Sequence, residues 1–482
     1  MSFTLSEAVN PSKVFLVQKT DVTGRWDAFY FRPELVALEK RVRQVTPHRL
    51  RDFVESMAGG ATPSTTESET HYTESDDGVP FIRVQNLSTT GRLNLEDCKR
   101  ITRSTHEGLL ARSQLSGGEL LVKITGVGRM AVASVVPEDF EGNINQHIVA
   151  IRTKDIKTSE TLASFLNLDM SERLASRRST GGTRPALDYP ALLSIPVVFD
   201  ERIPTLMRAA IKRHQQQTKE ATALLAKIDD VLLDELGIPR KPEPPNTLES
   251  RIFRTSFAKL TGQRYDPLFH QADVFQFVRG AKCELPKLGG LAAYFLTGFA
   301  AGRSDQADEE TGIIQIRPTN LSDDRELIFR RNVHIAASEL KARKADVLKL
   351  GEVLFNNTNS QEQVGKTAYF DRDGDYFSSN HITRIATKDS RLNAQYLGYV
   401  LNLYQRRKVF FKLCTNWNNQ SGVGTDILER IPIPLPNPTR QTAIVARLET
   451  IREQARTLRR QAATELDAVK REIEALILGK GA

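Results

Sequence analysis

The 482 residues include 67 Lys and Arg against 59 Asp and Glu, a formal charge of +8, with 40% hydrophobic and 26% charged residues. That is enough apolar material for two or three cores and too much for a disordered chain. No run is long and apolar enough to span a bilayer, and "MSFTLSEAVNPSKVFLVQKTD" has neither the apolar core nor the small-residue cleavage site of a secretory signal. Cys98, Cys283 and Cys414 are odd in number and far apart, which excludes a disulfide framework and a metal-ligand spacing. The chain is expected in the cytoplasm, and its basic balance suits a polyanionic partner without specifying one.

In chain order, "GGATPSTTESETHYTESDDG" (59–78) reads as a long polar loop. "FIRVQNLS" (81–88), "ELLVKI" and "HIVAIRT" are short β-rich runs bounded by Gly, Asn and Asp, as in a mixed sheet with many turns. A helical piece, "ETLASFLNLDMSERLASR", leads to the glycine-rich "STGGTRP" (179–185), and Pro196 closes the globule. Next comes a helix over about 202–236, with a patchy apolar stripe of Leu206, Ala210, His214, Ala221, Leu225, Ile228 and Leu232. "GIPRKPEPPN" (237–246) then stops the helix and makes a stiff linker.

The second half repeats the first. "VFLVQKTDVTGRWDAFYF" (14–31) returns as "IFRTSFAKLTGQRYDPLFH" (252–270), each with Arg-aromatic-Asp. Arg83, Asn86, Leu87 and Ser88 return as Arg317, Asn320, Leu321 and Ser322. "GELLVKITG" (118–126) answers "GEVLFNNTN" (351–359), "INQHIVAIRTKD" answers "SSNHITRIATKD", and "LLSIPVV" answers "LERIPIPLP". Five matches in one order mean a tandem duplication. The final helix, about 438–478, has Ile444, Leu448, Ile451, Ala455, Leu458, Ala462, Leu466, Val469, Ile473 and Leu476 at steps of three and four, nearly all alternating, a coiled-coil seam. Its stripe and that of the first helix are expected to cover each other.

Gly365-Lys366-Thr367 looks like the end of a phosphate-binding loop, but the position five before Gly365 is Ser360 where that loop requires glycine. The first copy has no Gly-Lys-Thr, so a turn between strands, with Gly128 and Gly365 as turn glycines, accounts for both copies.

The motifs "GGATPS", "IRVQNLS", "GELLVKITGVGRMAVA" and "INQHI" in the first copy, and "LFNNTNSQEQVGKTA", "NHITRI" and "IPIPLPNPTRQTAIVARL" in the second, together resemble the specificity (S) subunit of type I restriction–modification systems over almost the whole chain. The resemblance implies an α+β protein with two tandemly duplicated mixed α/β target recognition domains, separated by long antiparallel coiled-coil helices with an internal pseudo-twofold. The implied layout is target recognition domain 1 at 1–200, spacer helix 1 at 201–237, a Pro-rich linker at 238–250, target recognition domain 2 at 251–437 and spacer helix 2 at 438–482. Each domain would read half of a split double-stranded DNA sequence, with the helices as a ruler between the halves. Such a subunit has no catalysis and no cofactor of its own. It docks two adenine methyltransferase subunits, which carry S-adenosylmethionine, and in restricting assemblies translocase–nuclease subunits, which use ATP with Mg. Two departures, "GFAAGRSDQ" without the Thr-Pro of "GGATPS" and "SGVGTD" against "STGGTRP", fit two different half-sites. The same residues also suit the specificity partner of a fused methyltransferase–nuclease that cuts beside its site. A one-copy ATPase around Lys366, or a coiled-coil assembly protein with no DNA role, are the readings from other classes; basic loops in both copies argue against the latter.

Base reading requires Arg, Lys, Asn or Gln on loops that reach a groove, with basic groups nearby for phosphates. The first copy offers Arg173, Arg177, Arg178 and Arg184 beside Gly181 and Gly182, against the alternative of a solvated helix face. The second offers Gln405, Arg406, Arg407 and Lys408, then Asn416, Trp417, Asn418, Asn419 and Gln420, where amides could pair with adenine and the indole could stack. Lys123, Arg129, Asn357 and Asn359 follow central strands and are expected to face DNA, with buried hydrogen bonding the alternative for the two asparagines. His147 and His381 have no second ligand at useful spacing and read as core histidines. Asp27 and Asp266 read as helix caps or ion-pair partners.

Overall fold

The computed structural model describes residues 5–6, 9–10, 14–22, 24–64, 68–95, 98–182, 184–240, 247–257, 264–270, 274–329, 332–417 and 420–479. The chain divides into two compact units, residues 1–218 with 459–482, and residues 219–458.

The main sheet of the first unit runs β1 (Ser56–Gly59), β8 (Ile148–Arg152), β5 (Leu120–Lys123), β6 (Ala133–Val135), antiparallel throughout. Its apolar runs are continuous rather than alternating because both faces are buried. Leu120, Val122, Val149 and Ile151 point into one core and Leu121, Ile148 and Ala150 into another. The first core is completed by α1 (Pro33–Val45), α2 (Ile156–Leu166) and α3 (Asp169–Arg178). α2 starts where Asp155 accepts a hydrogen bond from the Thr158 backbone amide. Ile203, Met207 and Ala210, from the start of α4 (Arg202–Leu236), join the same core with Leu466 and Ile473, from the end of α7 (Pro438–Leu478). A second sheet, β2 (Tyr72–Thr73), β4 (Lys99–Ile101), β3 (Val79–Ile82) and β7 (Asn143–Ile144), pairs β3 with β7 in parallel.

The second unit repeats this plan. Its main sheet runs β14 (Thr367–Tyr369), β12 (Val353–Asn356), β16 (Ile382–Thr387), β9 (Ala292–Thr297), again antiparallel. Val353, Phe355 and Ile385 enter one core, and Leu354 and Ile382 the other. The first of these cores holds α5 (Ala394–Arg406) and α6 (Val409–Leu413), Ile228, Leu232, Leu233 and Leu236 of α4, and Ile444, Val445 and Leu448 of α7. β10 (Gly312–Ile316) pairs in parallel with β15 (Phe377–Ser378) and antiparallel with β11 (Val333–Ala336). A third sheet joins β13 (Thr358–Asn359), β18 (Gln420–Gly422) and β17 (Thr415–Trp417).

The repeated motifs do repeated structural work. Asn86 accepts from the Arg83 amide at 2.9 Å and donates to Asn94 O, while Asn320 accepts from the Arg317 amide at 2.9 Å and donates to Ile328 O. Gly60 and Gly298 are fixed by space. A Cβ would stand 2.2 Å from Ile144 O in one and 1.8 Å from Ser378 O in the other. A pair that motif reading missed is Asn167 and Asn402. Each buried amide, Asn167 at the end of α2 and Asn402 within α5, bridges a helix to the edge strand, bonding both N–H and C=O of Ala133 in the first unit and of Thr367 in the second, at 2.8–3.1 Å.

The structure also alters several sequence expectations. On α4, Leu206 is 44% exposed, and Ile203 and Met207 fill the core instead. On α7 the seam is buried at Ile444, Leu448, Ala455, Ala462, Leu466 and Ile473, but Leu476 is exposed. Gly365 is a left-handed turn residue (φ 90°) beneath Phe410, and Gly128 has φ 82° in the first unit's hairpin. The Lys366 ammonium is held by Asp323, and the Thr367 amide is taken by Asn402. The Gly-Lys-Thr atoms that would grip a phosphate are thus already engaged.

Candidate nucleic-acid interface

Each unit carries an equivalent corner, built from the loop that follows its helical piece. In the second unit, β17 and β18 form a hairpin stitched to the end of the central strand by Thr358↔Gly422 and Asn359↔Ser421. In the first unit the same stitching survives as single bridges, Thr180↔Ala186 within the loop and Thr125↔Ala186 to the strand end. The hairpin beside it is tied from within. Lys123 Nζ donates to Val127 O at 2.8 Å and Arg129 O at 2.9 Å, and Asn356 Nδ2 donates to Gln363 O at 3.0 Å.

Under these loops lie two clefts. That of the second unit, about 860 Å³, is lined by Asn357, Thr358, Asn380, Thr383, Trp417, Arg430 and Arg264 among others. That of the first, about 480 Å³, is lined by Gly128, Met130, Thr180, Gly181, Gly182 and Arg25 among others. The linings differ on a shared frame: that of the second unit is mixed polar and apolar, and that of the first is mostly apolar.

The predicted contact residues divide sharply by placement. Arg173, Arg184, Arg406, Lys408, Asn416 and Gln420 are exposed. Trp417 is 46% exposed, its indole lying over Gly422, where an added Cβ would meet it at 2.4 Å. Arg184 also acts on the neighbouring His147. Burial, then this guanidinium, lowers the imidazole pKa below its ordinary value, so the ring is largely neutral at pH 7. Asn359 accepts from the Ser360 amide at its half-buried position.

The remaining candidates are engaged by protein partners: Arg177, Arg178, Lys123 and Asn357 are buried, Arg129, Gln405 and Arg407 are half-buried, and Arg406 is paired although exposed. For Arg177, Arg178 and Lys123 this corrects the sequence reading. Arg177 and Arg178 are 7% and 5% exposed and clasp the buried carboxylate of Glu39. Burial alone would raise the Glu39 pKa, but the guanidiniums of Arg178 and Arg177 outweigh it and hold the carboxyl below its ordinary value. Lys123 is 4% exposed, and burial lowers its pKa. Arg129 donates to Asn167 O and Leu168 O and pairs with Asp169 at 2.5 Å. Asn357 is buried, donating to Asn380 O and Thr383 Oγ1. Gln405 donates to Glu362 O at 2.6 Å, Arg406 pairs with Asp229, and Arg407 lies over the Phe277 ring. Asn418 and Asn419 lie outside the described residues.

Arg430 and Asn380 line the cleft but were missed by sequence reading. Arg430 had one available signal, its place directly before the closing Ile431-Pro432. Arg178 could have been recognised as structural, since its repeat partner is Leu413, a core residue. Among the described residues no cluster of His, Cys, Asp and Glu could hold a metal ion, and no helix is long and apolar enough to cross a membrane.

Residues 301–467 match the family model for the type I restriction modification DNA specificity domain. A type I restriction enzyme MjaX specificity subunit of Methanocaldococcus jannaschii is 26% identical over 90 residues, 18% of this chain; the match spans about a fifth of that relative (21%). Solved structures with weak overall likeness include a chain from a structure of the type I R-M system (TM-score 0.36, 17% identity, 89% of this chain and 95% of that one). Others are the S subunit of a type I restriction-modification system from M. genitalium (0.34, 11%, 88% and 95%) and the HsdS subunit from Thermoanaerobacter tengcongensis (0.32, 14%, 90% and 96%). Residues 301–467 are thus similar to the DNA specificity domain of type I restriction–modification systems, and that similarity covers about a third of the chain.

Proposed function

We propose that the chain is a non-catalytic subunit that reads a bipartite DNA target, one half at the corner of each unit, and directs adenine methyltransferase activity to it. The carrying observation is that one frame occurs twice with two different cleft linings. A duplicated frame suits one repeated kind of ligand and one repeated partner, while divergent linings suit two base sequences. On this reading the chain binds double-stranded DNA and two methyltransferase subunits, with restriction translocase–nuclease subunits joining where cleavage follows. S-adenosylmethionine, and ATP with Mg, belong to those partners, in the cytoplasm of a prokaryotic cell. Bases in the second half-site meet Trp417 and Gln420, and those in the first meet the Arg184 loop. Arg173 and Lys408 are placed for phosphates.

The test maps methylated adenines in cells making the chain with its methyltransferase. Trp417→Ala is expected to relax one half-site, costing about 1–3 kcal/mol of discrimination, and Arg184→Ala the other. If either substitution degraded both halves equally, the assignment of one half to each unit would fall.

A further inference from the structure

The Arg-aromatic-Asp repeat has a shared geometry that its reading as a cap or ion pair does not exhaust. In the first unit, Arg25 Nη1 and Nη2 donate to Arg178 O at 2.8 Å and Ser179 O at 2.9 Å, and its Nε donates to Asp27 Oδ2 at 2.8 Å. In the second, Arg264 Nη1 and Nη2 donate to Leu413 O at 2.5 Å and Cys414 O at 2.7 Å, and its Nε donates to Asp266 Oδ1 at 2.7 Å. Each guanidinium also lies over an aromatic ring five residues on, Tyr30 at 4.7 Å and Phe269 at 4.9 Å. The carbonyls held are the last of α3 and α6 and the residue after each, groups that a helix leaves without an internal partner. A cation there also meets the negative end of the helix dipole. The very next residues, Thr180 and Thr415, begin the cleft loops.

We infer that Arg25 and Arg264 are positioning residues for sequence recognition: each locks the root of one cleft loop, fixing where that loop presents its side chains. The inference rests on the DNA-reading proposal above. Both arginines line the clefts, so a direct phosphate contact is the competing role, and the chemistry separates the two. The latch requires a planar fork that bonds two carbonyls and a carboxylate at once, which the point charge of lysine cannot reproduce. A phosphate contact tolerates lysine.

The experiment uses the full chain with its adenine methyltransferase, comparing wild type, Arg25→Lys and Arg264→Lys by methylated-adenine mapping and by DNA binding across a salt series. The wild type is expected to give one bipartite motif. Arg264→Lys should lower discrimination about tenfold or more at one half-site, and Arg25→Lys at the other, with the salt slope unchanged because the charge count is unchanged. Hydrogen exchange should rise at 415–417 and 420–422 in Arg264→Lys and at 180–186 in Arg25→Lys, while each main sheet stays protected. This readout separates a loosened loop from a destabilised unit. Full half-site specificity in both lysine variants, or exchange rising through the whole unit, would overturn the latch. A wild type with no sequence-specific methylation would instead sink the DNA-reading proposal on which it rests.

Discussion

Glu39 shows how far a basic side chain's address can differ from its appearance. Two adjacent arginines before a glycine loop look like a DNA contact, yet both converge on this one buried carboxylate, which also takes a bond from Arg43. Removing its charge leaves two guanidiniums buried without their anion, so Glu39→Gln should cost the first unit about 3–5 kcal/mol. A fall in the urea midpoint would register it. The pH dependence has a definite sign. The folded carboxyl titrates below its ordinary value of 4.5, so its stabilisation is complete above that value and lost as pH falls through the lower, folded pKa. Urea midpoints between pH 7 and pH 3 should therefore converge for wild type and Glu39→Gln at the acid end. A constant gap would show that the ion pair is not what the substitution removes.

At the level of elements, the cleft loops are held by strand stitching on one side and helix ends on the other. The asparagines at 167 and 402 secure the edge strand of each sheet, satisfying two backbone groups with one amide. Alanine at either position would orphan an N–H and a C=O in a buried setting, at about 1–3 kcal/mol per orphaned group. Asn402→Ala should lower the stability of the second unit and speed exchange at β14, and Asn167→Ala should do so at β6. Equal effects in both units would contradict the separate cores. The asparagines were not legible from motifs, because an amide bonded to a backbone some 34 residues away leaves no local pattern. The Asn86 and Asn320 caps are local and did leave one.

At the scale of the whole molecule, α4 and α7 each run from one unit into the other. If their length sets the unread spacer of the proposed target, inserting four residues near Ala221 and four near Ala462 should lengthen that spacer by one or two base pairs. Four residues add about 6 Å at about 1.5 Å per residue, against about 3.4 Å per base pair. Methylation mapping would show the two half-sites unchanged and the gap between them longer. An unchanged gap with full activity would remove the helices from the measurement.

The amino-acid sequence by itself determined what is periodic, local or repeated. Duplication places the same turn, cap and strand residues at matching positions in both copies, and a long helix announces its buried stripe through its spacing. The direction in which a polar side chain points was decided only by tertiary structure. Arg178 and Arg184 are six residues apart, the first at the end of α3 and buried on Glu39, the second exposed in the loop that follows. The difference lies in α1, which brings Glu39 to one of them from far away in sequence. Burial of a charge is set by the partner that the fold supplies, and that partner is not written in the charge's own neighbourhood.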